Sequence, residues 1–516
     1  MVHLISMCLA SLTVTAGPTT QPVPYSGGTI PNYSVRTLPA STPVEVGHDP
    51  QLFIDSYLIS EWRGLIPVTH SLRRILDHPI LGPDQGTTQS YLTVVRDADT
   101  RKFRMWYDKY IGPEACIAYA ESDDGVQWMT PNLGIMGNDN RLFRISSQHK
   151  SGYGASVIDE GPGFSDKPRR FKAVWYGQEK PDAKGDLGMR VAFSPDGLHW
   201  NEWEDNPVLH SISQTDDPFC PHCIGDIVDV YRDPVRGRYG AFVKMGAYAT
   251  DGWTRGPRAK GAFRRLVGAS ASDDFVHWEL PWRVAIPEPR DEGQLEFYAV
   301  GGTIARGGLL IGFARMLHDD LPATPGGSVG GIGYATLVTS RDGKHWERHD
   351  DVFFDRDPDP EAWDHAMTWI SSVVPVGDEL YIYYGGYKRG HKIEKEKERQ
   401  IGMTRMPTDR FVSRDAQGDT PGRLITVPLR LPEQAAHRLV LNVDASKGSI
   451  RVQLKDALGD KVLPGYTLDD CEPITGDGQA VPVSWRGKKD LPNDVVRIQF
   501  EMTRTSLFGF RLVPAE

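Results

Sequence analysis

The sequence predicts an all-β protein, a five-bladed β-propeller followed by a small C-terminal β-sandwich. Three observations predict it: a phrase that repeats, an aromatic strand before each copy, and a change of texture near residue 420. The phrase reads Ser122-Asp123-Asp124-Gly125-Val126-Gln127-Trp128, Ser194-Pro195-Asp196-Gly197-Leu198-His199-Trp200, Ser272-Asp273-Asp274-Phe275-Val276-His277-Trp278 and Ser340-Arg341-Asp342-Gly343-Lys344-His345-Trp346. Its copies recur about every 70 residues, and self-similarity at a fixed period marks an array of like supersecondary units.

The strand signals before the copies are Phe103 to Tyr107, Phe171 to Tyr176, Tyr239 to Val243 and Leu309 to Phe313; Leu380 to Tyr384 continues the interval without a clear phrase after it, so five units are expected. Within a unit an inner strand comes first, then a turn rich in Asp, Pro and Gly, then the aromatic strand. A variable loop, a third strand and the Ser-x-Asp-Gly turn complete it. Asp97, Asp159 and Arg232-Asp233-Pro234 occupy equivalent first turns, and Ile117 to Ala120 and Ile332 to Ala335 are third strands. Short strands at even spacing between turn residues read as four-stranded propeller blades. No stretch has convincing helical periodicity and caps.

At 516 residues the chain exceeds the roughly 300 residues at which single cores stop growing, so two domains are expected. The boundaries read as 1–24 for a signal peptide and linker, 45–420 for the propeller and 422–516 for the sandwich. Residues 4–16 form a short apolar stretch ending Val14-Thr15-Ala16, with a Pro/Thr-rich segment after it, which points to a secreted or periplasmic protein although the basic n-region is missing. No other segment is long enough to span a membrane as an apolar helix. From Gly422 onward alternating runs such as Arg438 to Val443 and Ser449 to Leu454 read as a small antiparallel sandwich without a catalytic constellation.

A net charge of −10 argues against nucleic acid as a partner, because phosphate binding needs a clustered positive surface. Cys220-Pro221-His222-Cys223 has redox or metal spacing but supplies too few ligands for a closed zinc site, and reads as a local disulfide or two inert thiols. Cys116 and Cys471 read as small buried residues. The basic stretch 254–265 and the mixed-charge stretch 388–399 read first as solvated loops. Lys388, Arg389 and His391 are placed to rim a pocket.

The phrase from Ser272 to Trp278, followed by Glu279, resembles the Ser-x-Asp-Leu-x-x-Trp signature of the five-bladed propeller glycosidases, the invertase, levansucrase and arabinanase superfamily (glycoside hydrolase families 32, 43 and 68). The resemblance covers roughly residues 45–420 and implies a funnel-shaped active site on the propeller axis. A sandwich after the propeller is similar to the invertase branch. The invertase Trp-x-Asn-Asp-Pro and Glu-Cys signatures are absent. Arg232-Asp233-Pro234 spells the family's Arg-Asp-Pro motif but aligns with first-turn residues away from the axis. The sialidase Asp-box is one residue longer than these repeats, which disfavours a six-bladed sialidase.

Only the innermost strands reach a propeller axis, so a catalyst there draws on 84–91, 151–156, 216–226, 291–298 and 363–367. Glycoside hydrolysis needs one carboxylic acid to protonate the leaving oxygen and a second carboxylate as nucleophile or base. Glu296 is the first candidate for the acid, flanked by aromatics that would raise its pKa, with Glu292 as its competitor. Asp364, Asp226, Asp217 and Asp84 compete for the second role, and Tyr91, Tyr298, Trp363, His365 and Trp369 are candidates for holding sugar. No cofactor is expected. The resemblance implies that His365 could help hold a hydrated calcium at the axis, while a satisfied core histidine is the plainer reading. The expected partner is a carbohydrate. The alternatives are a non-catalytic carbohydrate-binding propeller and a glycoside phosphorylase, the last requiring cationic residues to converge beside the acid.

Overall fold

The repeated phrase builds the same turn four times. Ser122 Oγ accepts the Gly125 N–H at 2.8 Å, while Asp124 Oδ1 accepts the N–H groups of Val126 and Gln127, both at 2.8 Å. Ser194 with Asp196, Ser272 with Asp274 and Ser340 with Asp342 repeat the pattern. The fourth position of the phrase is left-handed, at φ 77° for Gly125, 76° for Gly197 and 65° for Gly343; where glycine is replaced, Phe275 adopts 74° with its ring fully buried. In three copies the tryptophan indole N–H donates to the carbonyl of that residue, tying the turn to the strand after it.

The computed structural model describes residues 42–82, 87–111, 114–145, 152–178, 186–211, 224–247, 264–285, 291, 295–391, 393, 399–432, 436–492 and 494–515. Among them there is no α-helix, only a 3-10 turn at Lys167–Arg169. Blade I consists of Thr87–Arg96, Phe103–Ile111, Glu114–Ser122 and Arg141–Arg144, and blade II of Tyr153–Asp159, Phe171–Gly177, Gly188–Ser194 and Asn201–Glu202. Blade III consists of Val228–Asp233, Arg238–Ala247, Arg264–Ser272 and Trp282–Ala285. Blade IV consists of Leu295–Arg306, Leu309–His318, Ile332–Ser340 and Glu347–Phe354. Blade V supplies Met367–Val376, Glu379–Tyr387 and Arg399–Pro407. Its outer edge is bridged by an earlier stretch of chain, Arg74 to Thr404 and Leu81 to Ile401, so residues from before blade I complete the last blade. The five inner strands touch their neighbours in a closed cycle, I to II through V and back to I.

The sandwich recruits both ends of the chain. One sheet combines Val44–Glu45, Ile59–Arg63, Gly422–Thr426, Leu429–Arg430, Ser449–Asp456 and Val495–Thr503; the other combines Gln51–Leu52, Ile66–Thr69, Val412–Ala416, His437–Asp444, Asp477–Pro482 and Thr505–Pro514. This moves the expected boundaries. The segment 44–69, read as the start of the propeller, is sandwich, and Val412–Ala416, read as its closing strand, pairs with Ile66–Thr69 and Thr505–Pro514. The physical reason is edge pairing: the C-terminal strands alone leave open edges that the N-terminal strands cover. Leu441, Trp485, Phe500, Phe510 and the N-terminal Phe53 fill one core.

The two domains are bolted together. Arg414 donates to the carbonyls of Phe53, Ile54 and Asp55, and Asp55 receives Arg341 of the fourth repeated turn at 2.7 and 3.0 Å.

The turns make a prediction about acid stability. Burial raises the pKa of Asp196 and Asp274, but hydrogen bonds from the following N–H groups and from His199 or His277, joined at Asp196 by Ser194, outweigh it and hold both carboxyls down to about 2. A carboxylate depressed on folding contributes stability that is present above its ordinary pKa and is lost as pH falls through the folded value. Asp196→Ala is expected to cost about 1–2 kcal/mol at neutral pH, measured by urea unfolding, and the gap to the parent should close as pH falls from about 4 toward 2.

Candidate active site

Antiparallel pairing decides which residues meet at one mouth of the ring. Leu295 opens the inner strand of blade IV opposite His318, which pairs in turn with Ile332; Met367 of blade V likewise faces Tyr387, which pairs with Arg399. Thr87 faces Tyr110 in blade I, and Ala247 faces Arg264 in blade III. Starts of first and third strands therefore gather with ends of second strands.

Glu296 is the second residue of its strand and is 3% exposed. Its carboxylate pairs with the Arg265 guanidinium, and its Oε1 receives the Arg265 backbone N–H at 3.4 Å. Asp319, just past the end of the neighbouring strand, approaches the same guanidinium at 3.6 Å. Burial raises the pKa of Glu296 and Arg265 opposes it; burial prevails, helped by the charge of Asp319.

Tyr298 follows Glu296 by two residues. Its ring stacks on Trp369 at 4.5 Å and 23° between planes, with the Lys244 ammonium 4.3 Å and the Arg265 guanidinium 5.5 Å from its centroid. The Tyr298 hydroxyl meets His391 Nε2 at 3.0 Å, and His391 Nδ1 lies 3.7 Å from Asp319. Lys244 pairs with Asp226, which opens onto the inner strand of blade III and whose side chain is 33% exposed. Tyr91 of blade I is hydrogen-bonded to Tyr298, and burial pushes both phenols up. Blades I, III, IV and V thus converge on one cluster of three carboxylates, a lysine, an arginine, a histidine and an aromatic wall.

Below this cluster the axis is plugged. Arg315, 1% exposed, donates to the Ile370 carbonyl and to Ser371 Oγ, both at 2.9 Å, and lies 3.7 Å from Asp229. It reaches the axis over Gly301, where a Cβ would stand 2.5 Å from Arg315 Nη2. Burial raises the Asp229 pKa to about 7 against the pull of Arg315.

The candidates from sequence divide. Glu296, Asp226, Tyr298, Trp369 and Tyr91 meet at the axis. Asp364 and Trp363 do not join them. Asp364 receives Arg74 Nε at 2.8 Å and the Tyr384 hydroxyl at 3.2 Å, and Trp363 lies over Gly386 and Gly402 of the two outer strands, stacked on Tyr384. Both are spent on holding blade V to the chain segment that completes it. His365 is engaged at both ring nitrogens, 2.8 Å from the Asp357 carbonyl and 3.2 Å from Thr324 Oγ1, so it does not fit a calcium-holding role and no step is routed through that ion. Among the described residues no group of three or more His, Cys, Asp or Glu is placed to hold a metal. Asp84, Asp217, Glu292, Cys220 and Cys223 lie outside the described residues. Arg232-Asp233-Pro234 is a turn, as its alignment with Asp97 and Asp159 implied: Asp233 is fully buried on Arg236 at the end of an inner strand.

Sequence reasoning missed Lys244, Arg265, Asp319 and Asp229 as members of the axis. Lys244 and Asp229 carried a usable signal, a lone charge inside an apolar strand run. Arg265 was hidden in a basic stretch, and Asp319 in a loop whose position depends on the fold.

No protein-family model matches the chain, and no curated protein matches it. Solved structures similar to it include a glycoside hydrolase, 16% identical with a TM-score of 0.43, covering 67% of this chain and 92% of its own. A glycosyl hydrolase from Bacteroides ovatus is 14% identical with a TM-score of 0.40, covering 70% of this chain and 98% of its own. A Bombyx mori GH32 beta-fructofuranosidase is 11% identical with a TM-score of 0.40, covering 85% and 95%. These likenesses are distant, and the chemistry has to be read from the chain's own residues.

Removing one partner of a buried ion pair strands the other, at a cost of roughly 3 kcal/mol or more. Asp364→Ala is therefore expected to lower the thermal midpoint by several degrees in a calorimetric scan. Glu296→Gln, which keeps the shape of its side chain, should shift it less.

Proposed function

We propose that the protein is a glycoside hydrolase with Glu296 as its general acid. The observation that carries this reading is a carboxyl buried at the mouth of the axis whose pKa is raised by burial, in the same cluster as a second carboxylate, Asp226, that is partly open and paired with Lys244 across the Tyr298 ring. Two carboxyl groups held in contrasting environments are the arrangement in which one stays protonated to donate while the other acts as a base or nucleophile. In this mechanism Glu296 gives its proton to the leaving glycosidic oxygen as the C–O bond breaks, and Asp226 attacks the anomeric carbon or takes the proton of the attacking water. Arg265 limits how far the pKa of Glu296 rises. Asp319 and His391 orient Arg265 and Tyr298, and the Tyr298–Trp369 stack forms a rigid wall. The substrate is a carbohydrate. The apolar stretch at 4–16 supports reading the protein as exported, its first 24 residues being signal and linker. Among the described residues no helix is long and apolar enough to cross a membrane.

A second reading, phosphorolysis, draws support from the convergence of Lys244, Arg265 and His391 beside Glu296. Charge balance favours hydrolysis. Lys244 is matched by Asp226, and with Glu296 protonated Arg265 is still matched by Asp319, so these two cations carry no surplus with which to draw in a phosphate dianion.

The test is hydrolysis of a panel of aryl glycosides and polysaccharides, with and without inorganic phosphate. Glu296→Gln is expected to lower kcat by a factor of about 10³ or more, and Asp226→Asn by at least about 10². A rate that depends on phosphate, with sugar phosphate as product, would establish the second reading instead.

The pH profile supplies a separate check. An acid works only while protonated, so kcat/KM falls as pH rises through the Glu296 pKa. Arg265 lowers that pKa, and its removal lets burial act unopposed. In Arg265→Met the alkaline limb should move to higher pH.

A further inference from the structure

At the opposite end of the propeller a cavity lies where the two domains meet. Its volume is about 250 Å³, and its walls come from three sources: the hairpin ends of blades IV and V at Arg306, Asp378, Thr408 and Asp409, the sandwich at Asn442, Gln479 and Arg511, and the N-terminal strap at Pro50 and Leu52. That is the space of about eight liquid waters, room for one sugar ring and not for a long chain segment.

The walls sort into groups that are committed and groups that are not. Arg306 grips Asp409 with two hydrogen bonds of 2.6 Å, which locks the corner of blade IV against the end of blade V. Asn442 donates to the Thr408 carbonyl at 3.2 Å and accepts Arg410 Nε at 3.0 Å. These fix the frame. Gln479, part of the wall, uses its amide N–H on the Asp378 carbonyl at 2.9 Å, which leaves its side-chain oxygen uncommitted. The Thr408 hydroxyl is buried behind this wall without a hydrogen-bond partner and does not open onto the cavity. Arg511 and Asp378 stand exposed at the rim, one of each sign. Gly509 lets the strand Gln51–Leu52 pack close against it, since a Cβ there would meet the Gln51 carbonyl at 2.4 Å.

We propose that this interdomain cavity is a binding site for a single neutral saccharide unit, separate from the axial site. A polyol ring offers both donors and acceptors, and the uncommitted set answers both: the Arg511 guanidinium donates, and the Asp378 carboxylate and the Gln479 side-chain oxygen accept. Pro50, Leu52 and Ala480 supply an apolar surface for the C–H face of a sugar. The balance of one cation and one anion selects against a charged ligand. Pockets at domain boundaries also couple ligand to stability, because a molecule that touches both domains binds only when they are docked.

The experiment uses the full chain carrying Glu296→Gln, so that no probe is consumed at the axis, and titrates it calorimetrically with neutral mono- and disaccharides and with glucuronate. At least one neutral sugar is expected to bind and to raise the thermal midpoint, with glucuronate inactive. Asp378→Ala and the surface double variant Gln479→Ala/Arg511→Ala should each weaken binding by about tenfold or more. Retention of full affinity in both would overturn the proposal, as would the absence of binding by any neutral sugar. A preference for glucuronate would overturn the charge argument and with it the proposed ligand. Hydrolysis by the parent is measured separately, so failure of the axial reading and failure of this one remain distinguishable.

Discussion

Ring closure is the constraint on which the rest of the molecule depends. A propeller axis holds side chains from different blades at fixed distances only if the last blade is locked to the first. Here the lock is made by chain that precedes blade I, bridged at Arg74 and Leu81 to the outer strand of blade V and pinned by Arg74 to Asp364 and to the Asp355 carbonyl. The same segment continues back into the sandwich, so one stretch of chain both closes the ring and joins the second domain. Trp363, which lies flat where Gly386 and Gly402 leave room, seals the joint.

With the ring fixed, charge decides what the axis does. Arg315 and Asp229 fill its floor, and the mouth gathers carboxylates and cations in near balance. Such a cluster is costly to bury unless each charge finds a partner, and the pairings found are the ones that keep Glu296 and Asp226 in contrasting environments. In the proposed reaction a neutral substrate would enter without upsetting that balance. The interdomain cavity follows the same logic at lower charge density, with its frame held by paired groups and its lining left to hydroxyl-type bonding.

Much of this was legible before any coordinates. The Ser-x-Asp-Gly phrase carries its own hydrogen bonds, so its turn follows from local chemistry, and its four copies together with the aromatic strand of a fifth unit give the blade count. Glu296 was legible because a carboxyl between Leu295 and Phe297 on an inner strand has few structural uses. Asp364 and Trp363 looked equally good, and the difference lies in one long-range partner: Arg74, 290 positions away in sequence.

By itself the sequence determined the all-β class, the repeat and the turns, because each rests on contacts within a few residues, and it marked Glu296, Tyr298 and Trp369 as residues for the axis. Only the tertiary structure decided that 44–69 belongs to the sandwich, that Lys244, Arg265 and Asp319 join Glu296, and that Asp364 and His365 serve the frame. Those outcomes depend on which strand edges and which charges meet across hundreds of residues. Pairing of that kind is set by the closed ring and not by any local pattern.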